Sequence, residues 1–262
     1  MNIFKQFAAS LYSPSTVATF RQNKIGRAIG YVFLLMFITL LPLAISLGTT
    51  IYSFVNQLES QLEESVPDFH IQNGVLTSNE TNEPVINEED GQTIIFDPTG
   101  EITPDDVSGN YNEAIALLER EAILITNGVT QQPVSYQDLD LNLTKSQTVE
   151  MVETFSGMLP LIIGLIIVLM YIFYTASKFI GVTFLALIGY LFRKTVGLPN
   201  MQYKHSWVLS AFAVTLPTTL FALLNFVGLN IPFQFALYWT IAIVFLFQVL
   251  RYIPKPRVKP AE

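Results

Sequence analysis

The sequence predicts an α-helical polytopic membrane protein with four transmembrane helices and an extracytoplasmic α+β domain inserted between helices 1 and 2. Three observations lead to this fold class: long uncharged apolar segments, an acidic window after the first of them, and basic clusters outside that window. Apolar residues make up 51% of the 262 positions, and mean hydropathy is +0.44. This composition favours an integral membrane protein over an ordinary soluble domain.

The uncharged segments set the number of spans. A helix needs about 20 apolar residues to cross about 30 Å of hydrocarbon. Uncharged apolar sequence covers residues 28–58, 154–177 and 205–250. The last segment is long enough for two helices, and Gly228–Pro232 interrupts it, so the fourth helix is predicted to begin at Pro232, because proline is tolerated in a first turn.

A shorter apolar segment, residues 179–192, lies between Lys178 and Arg193. It is too short to span a bilayer alone and leaves no room for a hairpin. We therefore predict one long helix from about Met158 to Phe192. Whether residues 179–192 are membrane-embedded or form a cytoplasmic extension of that helix stays open.

Charge sets the orientation. Twenty of the 21 acidic residues lie between Glu59 and Glu153, a window of net charge −18, whereas the rest of the chain carries +11. Short cytoplasmic segments of membrane proteins collect Lys and Arg. Four crossings place every basic cluster on the cytoplasmic side. The sequence thus predicts a multi-pass protein of the bacterial plasma membrane, with N and C termini cytoplasmic and residues 56–153 outside.

The predicted organisation follows from these spans and charges. In chain order the segments are a cytoplasmic amphipathic arm over 1–27, transmembrane helix 1 over 28–55, the acidic extracytoplasmic α+β domain over 56–153, the long transmembrane helix 2 over 154–192, a basic cytoplasmic loop over 193–204, transmembrane helix 3 over 205–228, transmembrane helix 4 over 231–250, and a basic cytoplasmic tail over 251–262.

Turn and cap residues predict the elements of the acidic domain. Asn73-Gly74 predicts a hairpin, because both residues suit the positive φ angles of a two-residue turn. Thr144 with Gln147 predicts a capping box that opens a helix. The other predicted elements are a strand over 92–96 ended by the turn Asp97-Pro-Thr-Gly100, an amphipathic helix over 110–122, and strands over 123–126 and 134–136.

Metal and cofactor sites are not predicted. The acidic run Glu88-Glu89-Asp90-Gly91, with Asp97 and Glu101, supplies the oxygen ligands that Ca²⁺ prefers. Its spacing does not match an EF-hand loop, and an exposed turn is the favoured interpretation. His70 and His205 are the two histidines, and neither has a His or Cys co-ligand nearby in sequence, which argues against zinc.

Enzymatic activity is not predicted either. None of the predicted spans contains Asp or Glu, so proton relays and aspartyl proteolysis have no candidates there. The chain also lacks His-Glu-x-x-His, Gly-x-Ser-x-Gly and Gly-rich phosphate-binding motifs. No catalytic residue is assigned, and no nucleic-acid partner is expected.

Lys178 is the one charge within an apolar run, and it suggests a candidate membrane path. Tyr171 and Tyr174 precede it by seven and four residues, on the same helical face. Asn225 is a further polar position at membrane depth. An intramembrane cation indicates contact with an anion or a hydroxyl-rich ligand. The competing interpretation, which we favour from sequence alone, is a lysine that snorkels to the interface among belt tyrosines.

Several segments, taken in order, resemble a family of bacterial membrane proteins of undefined activity labelled maltodextrin-utilisation proteins. The matching segments are Phe7–Pro14, Arg21–Tyr31, Val66–Phe69, Asn73–Leu76, Ile94–Gly100 and Leu216-Pro217. The resemblance implies a link to starch-sugar uptake. The basic loop followed by a span with Leu-Pro also resembles, more faintly, Yip1-type membrane domains, which would imply an organising role.

The sequence therefore predicts a non-enzymatic integral membrane protein, an accessory or sensing component that the resemblance links to maltodextrin utilisation. Its partners would be the lipid bilayer and sugar-uptake or envelope membrane proteins, and a homo-oligomer stays open. Two alternatives remain. One is a small transporter or channel with its path near Lys178, and the other is an extracytoplasmic ligand-binding module.

Overall fold

The computed structural model describes residues 1–89 and 92–255, and these ranges contain eight α-helices and nine β-strands. The chain divides into two compact units. The first, here called the helical unit, comprises Met1–Gly48 and Ile163–Glu262, and the second, here called the sheet unit, comprises Thr49–Ile162. The sheet unit contains the whole of the acidic domain predicted from sequence.

The helices follow the apolar pattern of the sequence. They are α1 Ile3–Tyr12, α2 Pro14–Thr19, α3 Ile25–Glu64, α4 Pro104–Asn110, α5 Lys145–Phe192, α6 Tyr203–Ala213, α7 Thr215–Phe226 and α8 Gln234–Arg251. Within the described ranges, four helical segments are long and apolar enough to cross a membrane, namely α3, α5, α6 with α7, and α8. The single long helix predicted through Phe192 is confirmed, and it begins at Lys145 after the Thr144–Gln147 capping box.

Two helix boundaries differ from the prediction. The third segment is interrupted at Val214, because Pro217 has no N–H to donate to the carbonyl of Ala213. The last helix begins at Gln234 rather than at Pro232. The cause is Phe233, whose φ of 57° is left-handed and cannot belong to a right-handed helix.

The core of the helical unit joins the N-terminal arm to the long helices. Phe212 of α6 is fully buried, and its ring centroid lies 4.9 Å from that of Phe20 and 4.3 Å from that of Tyr31 in α3. Helix α5 approaches closely at Gly189, where a Cβ would lie 2.7 Å from Ser206 Oγ and 2.9 Å from a Leu246 methyl. Glycine at this position therefore lets α5 pack against α6 and α8.

The strands of the sheet unit form two sheets. They are β1 Phe69–Gln72, β2 Val75–Ser78, β3 Val85–Glu89, β4 Gln92–Phe96, β5 Ala114–Leu117, β6 Glu121–Thr126, β7 Val129–Thr130, β8 Val134–Ser135 and β9 Leu143–Thr144. One sheet has the order β2-β1-β9 and the other β3-β4-β5-β6-β7, with β8 also paired to β6. Strands β4 and β5 are parallel, and α4 lies in the crossover between them.

Side chains of the central strand enter two cores. Ile94 and Phe96 of β4 belong to one core, which Leu62 of α3 also joins, and Ile95 belongs to the other, which Val107 of α4 covers. Successive residues of a strand point to opposite faces, so the consecutive apolar residues 94–96 fit a strand that is buried on both faces. The predicted strand over 92–96 is confirmed.

The hairpin prediction is also confirmed, and the helix predicted over 110–122 is wrong. Asn73 and Gly74 join β1 to β2 with φ angles of 54° and 77°. In place of the helix the structure has strand β5, a turn and strand β6. The residues Ala114–Leu117 favour a helix locally, but pairing with both β4 and β6 buries Ala114 and Ala116 in the sheet core.

Candidate ligand-binding site

A cluster of three polar side chains lies inside the helical unit. The Lys178 Nζ of α5 donates hydrogen bonds to Thr218 Oγ1 of α7 and to the Tyr238 hydroxyl of α8, each over 3.1 Å. The two hydroxyls are themselves 3.1 Å apart. The ammonium also lies 4.7 Å from the centroid of the Tyr238 ring. The helices that meet at this point are separated by 40 and 60 residues along the chain from Lys178.

The direction of every hydrogen bond in the cluster follows from counting protons. Thr218 Oγ1 donates its one proton to the Val214 carbonyl oxygen over 2.6 Å. The Tyr238 hydroxyl must then donate its proton to Thr218 Oγ1, because each hydroxyl has one proton. Both hydroxyl oxygens accept from Lys178. An ammonium has three N–H groups, so one remains for another acceptor.

A cavity of about 330 Å³ adjoins this cluster. Residues of α3, α5, α7 and α8 line it, and apolar side chains such as Met36, Leu40 and Phe221 make up much of the wall. The Lys178 cluster supplies polar groups on one part of the lining, and Asn225 supplies another. The cavity is therefore amphipathic.

The structure brings together three of the four residues proposed for a membrane path. Lys178, Tyr174 and Asn225 line the cavity, and Asn225 Oδ1 accepts a hydrogen bond from Gln234 Nε2 over 3.2 Å. Tyr171 lies elsewhere, because its hydroxyl donates to the Phe33 carbonyl oxygen over 3.0 Å.

Sequence reasoning missed Thr218 and Tyr238, the two residues that bind the lysine. Hydroxyl side chains are common at helix–helix contacts in membranes, so neither residue was conspicuous. The available signal was the position of Thr218 directly after Pro217. A proline in a span leaves backbone carbonyl groups without a donor, and neighbouring Ser and Thr hydroxyls can supply one. Thr175, one turn before Lys178, is buried, and its Oγ1 has no hydrogen-bond partner among the described residues.

No carboxylate balances the charge of Lys178 within the described part of the helical unit. Outside residues 59–153 the sequence contains a single acidic residue, Glu262, which lies beyond the described residues. Among the described residues, the ammonium donates to neutral hydroxyl oxygens.

Neither histidine and no described residue of the acidic run lines this cavity. His70 is exposed on β1, and His205 lines a separate cavity of about 290 Å³ with Arg21 and Lys255. Of the acidic run, Asp90 and Gly91 lie outside the described residues. Among the residues that are described, no group of three His, Cys, Asp or Glu side chains is placed to hold a metal ion.

Asp97, the buried acid near that run, has a local structural role. Its carboxylate accepts from Thr99 N over 2.8 Å, from Thr99 Oγ1 over 2.6 Å and from Ile102 N over 2.7 Å. Burial would raise the pKa of Asp97, but these hydrogen bonds outweigh it and hold the pKa below its ordinary value. The carboxylate thus fixes the turn after β4.

Comparison with known proteins places the chain in a family. The family described as "Protein of unknown function (DUF1189)" matches residues 4–250. The chain belongs to this family. No curated protein and no solved structure gives a significant match to the chain.

Proposed function

We propose that this member of the DUF1189 family is a non-enzymatic four-span membrane protein that acts as an accessory or sensing component. The observation that carries the proposal is that two helices contribute to both cores. Helix α3 supplies Tyr31 to the core of the helical unit and Leu62 to that of the sheet unit. Helix α5 supplies Val182 to the first core and packs Val149 against the second. The folded sheet unit is thus continuous in sequence with two of the apolar helices, which suits an accessory or sensing component.

The proposed orientation places the N and C termini in the cytoplasm of a bacterial cell and residues 56–153 outside the plasma membrane. The number of crossings is supported by the four described helical segments that are suited to span a bilayer. The orientation of the chain in the membrane is supported by the distribution of Lys and Arg. The acidic residues of the sheet unit would then all face the extracytoplasmic side.

The proposed partners are the lipid bilayer and a membrane protein of sugar uptake or of the cell envelope. The link to maltodextrin utilisation rests solely on sequence resemblance, in segments such as Ile94–Gly100 that match the family in the same order along the chain. A self-oligomer is the other partner that the account allows.

Cross-linking in the native membrane tests the accessory role. A tagged copy of the full chain is cross-linked in cells, purified and examined by mass spectrometry, with an untagged copy as control. Reproducible recovery of one membrane partner above the control supports the proposal. Recovery of the chain alone or only as a self-oligomer contradicts the accessory role.

A second candidate function, a small transporter or channel, is favoured by the cavity that Lys178, Tyr174 and Asn225 line. Proteoliposomes that contain the full chain would be tested for uptake of radiolabelled phosphate and of maltotriose. The path hypothesis predicts flux that Lys178→Met abolishes and that Lys194→Met, at an exposed cation, leaves intact. Absence of flux, or equal flux in both variants, would exclude this candidate.

A further inference from the structure

We propose that the cavity beside Lys178 binds an amphiphile whose head group is an oxyanion, a carboxylate or a phosphate on an apolar chain. Lys178 holds the head with its remaining N–H, and the apolar wall receives the chain. The inference rests on the four-span placement proposed above. It adds to that placement a site and the chemical class of its ligand.

Depth along the helices is the first argument. Each of the four spans has a basic residue near one end and a polar residue of the site further along. The pairs are Arg27 and Thr39 in α3, Arg193 and Lys178 at α5, Lys204 and Thr218 in α6–α7, and Arg251 and Tyr238 in α8. The members of each pair are 12 to 15 residues apart. At about 1.5 Å per residue this is roughly 20 Å in all four helices.

That depth places the lysine inside the hydrocarbon. With the basic ends at the cytoplasmic boundary, roughly 20 Å of a hydrocarbon layer about 30 Å thick lies between them and the cluster. A snorkelling lysine extends its ammonium towards water. The ammonium of Lys178 instead binds Thr218 and Tyr238 of two other helices. The geometry therefore favours a lysine held inside the unit for a ligand.

Charge is the second argument. The two hydroxyls have used their own protons, so the cluster offers an N–H donor and a positive charge to the cavity. Lys178 is half-buried, and a charge at membrane depth without a counter-charge is costly; the described part of the helical unit has no carboxylate to supply one. An oxyanion satisfies both needs, because it accepts the N–H and neutralises the ammonium.

The size and lining of the cavity are the third argument. A volume of about 330 Å³ lies at the lower end of the range for small-molecule sites and far exceeds the space that one carboxylate or phosphate fills. Met36, Leu40, Leu43 and Phe221 present apolar surface to the remainder. An apolar chain attached to the oxyanion would bury that surface.

The entrance follows from the same helix positions. Ser46 in α3 and Asn225 in α7 line the cavity. Ser46 lies seven residues after Thr39 in α3, and Asn225 lies seven residues after Thr218 in α7. Seven residues add roughly 10 Å, which brings both side chains to the extracytoplasmic boundary of the hydrocarbon. The amphiphile would therefore enter from the outer side and place its head at Lys178.

Binding of laurate to the full chain tests this inference. The purified chain is kept in a non-ionic detergent, which carries no oxyanion, and binding of radiolabelled laurate is measured at equilibrium. We expect saturable binding of about one laurate per chain. Lys178→Met should weaken it at least about 10-fold, because a hydrogen bond to a charged group contributes that much. The matched control Lys194→Met, at an exposed cation beyond α5, should change binding less than about 2-fold.

Competition experiments on the wild-type chain distinguish an oxyanion on an apolar chain from a free anion, and they need no variant. Dodecyl phosphate should displace laurate, whereas dodecanol, which has the chain without the charge, should not. Equal displacement by dodecanol, or equal laurate binding by Lys178→Met, would overturn the proposal. Inorganic phosphate should not displace laurate at the concentration at which dodecyl phosphate does. If it did, the claim that the ligand is an amphiphile would be overturned, and a free anion would be the ligand.

A second variant guards against misfolding of the first. Lys178→Arg keeps a cation at this position, so it should weaken laurate binding less than Lys178→Met does. Equal loss of binding in the two variants, with the chain folded, would contradict the assignment of Lys178 as the group that holds the head. The binding assay is independent of sidedness, so its failure is distinguishable from failure of the proposed orientation.

Discussion

The two units hold a charged side chain in opposite ways. In the sheet unit, Asp97 is fully buried and receives three hydrogen bonds from residues that lie within five positions of it. In the helical unit, Lys178 binds two neutral hydroxyls from helices 40 and 60 residues away, and one N–H remains. The first arrangement is complete without any ligand. The second leaves one N–H of the ammonium for another acceptor, which is why we assign Asp97 a structural role and propose a ligand-binding role for Lys178.

This comparison makes opposite predictions for removal of each charge. Loss of Asp97 leaves buried donors without acceptors, whereas loss of Lys178 removes a charge that lacks a counter-charge. The predictions below follow that contrast, beginning with the largest expected effect.

Asp97→Ala should destabilise the sheet unit by about 3 kcal/mol, because the N–H groups of Thr99 and Ile102 lose their acceptor in a buried turn. Hydrogen exchange of the neighbouring strand β4 in the full chain measures the opening free energy. The control Asp138→Ala removes an exposed carboxylate and should change it by less than about 0.5 kcal/mol. Similar effects of the two substitutions on the opening free energy would contradict a structural role for Asp97.

Lys178→Met should leave the ligand-free chain equally stable or stabilise it by up to about 2 kcal/mol, because an apolar side chain replaces a half-buried charge that has no carboxylate beside it in the described part of the helical unit. Thr218 and Tyr238 keep their hydrogen bond to each other. Thermal unfolding in a neutral detergent measures the change, with Lys194→Met as the control. A loss of more than about 1 kcal/mol would show that Lys178 is structural in the way that Asp97 is.

Thr99→Val should cost the sheet unit about 1 kcal/mol. Its hydroxyl donates to Asp97 Oδ1 over 2.6 Å, and valine preserves the shape without that donor. The backbone N–H groups of Thr99 and Ile102 remain bound to the carboxylate, so the effect should be smaller than that of Asp97→Ala. Hydrogen exchange of β4 again provides the measurement, and an effect as large as that of Asp97→Ala would contradict this ranking.

The pH dependence of the sheet unit should show the depressed pKa of Asp97. A carboxylate whose folded pKa lies below its ordinary value of 3.8 stabilises the fold above that pH, and the stabilisation is lost as the pH falls through the folded pKa. Exchange in β4, corrected for intrinsic rates, should therefore accelerate below about pH 4. Asp97→Asn should flatten this pH dependence of exchange. An unchanged pH dependence in the variant would show that another group causes it.

Local signals in the sequence predicted much of the fold. The Asn73-Gly74 turn and the Thr144–Gln147 capping box each depend on residues within a few positions of one another, so they could be read directly. The strand at Ala114–Leu117 could not, because its partner β4 lies about 20 residues earlier and its own residues favour a helix. Non-local pairing decided the outcome there.

The candidate site shows the same division. Lys178 was conspicuous as a charge in an apolar segment, and Tyr174 shares its helix face. Thr218 and Tyr238 come from other helices, and only the packing of α7 and α8 against α5 brings them to the lysine. Tyr171 was placed with Lys178 by spacing, but it lies a further turn away and donates to the backbone of α3.

Sidedness of the two units is the measurement that tests the account most directly. The chain has no cysteine, so Asp138→Cys in the sheet unit and Lys194→Cys after α5 each introduce a single, exposed reporter. A membrane-impermeant thiol reagent is added to intact cells and then to lysed cells. The account predicts that Asp138→Cys reacts in both and that Lys194→Cys reacts only after lysis. Labelling of Lys194→Cys in intact cells, or protection of Asp138→Cys, would contradict the four-span placement.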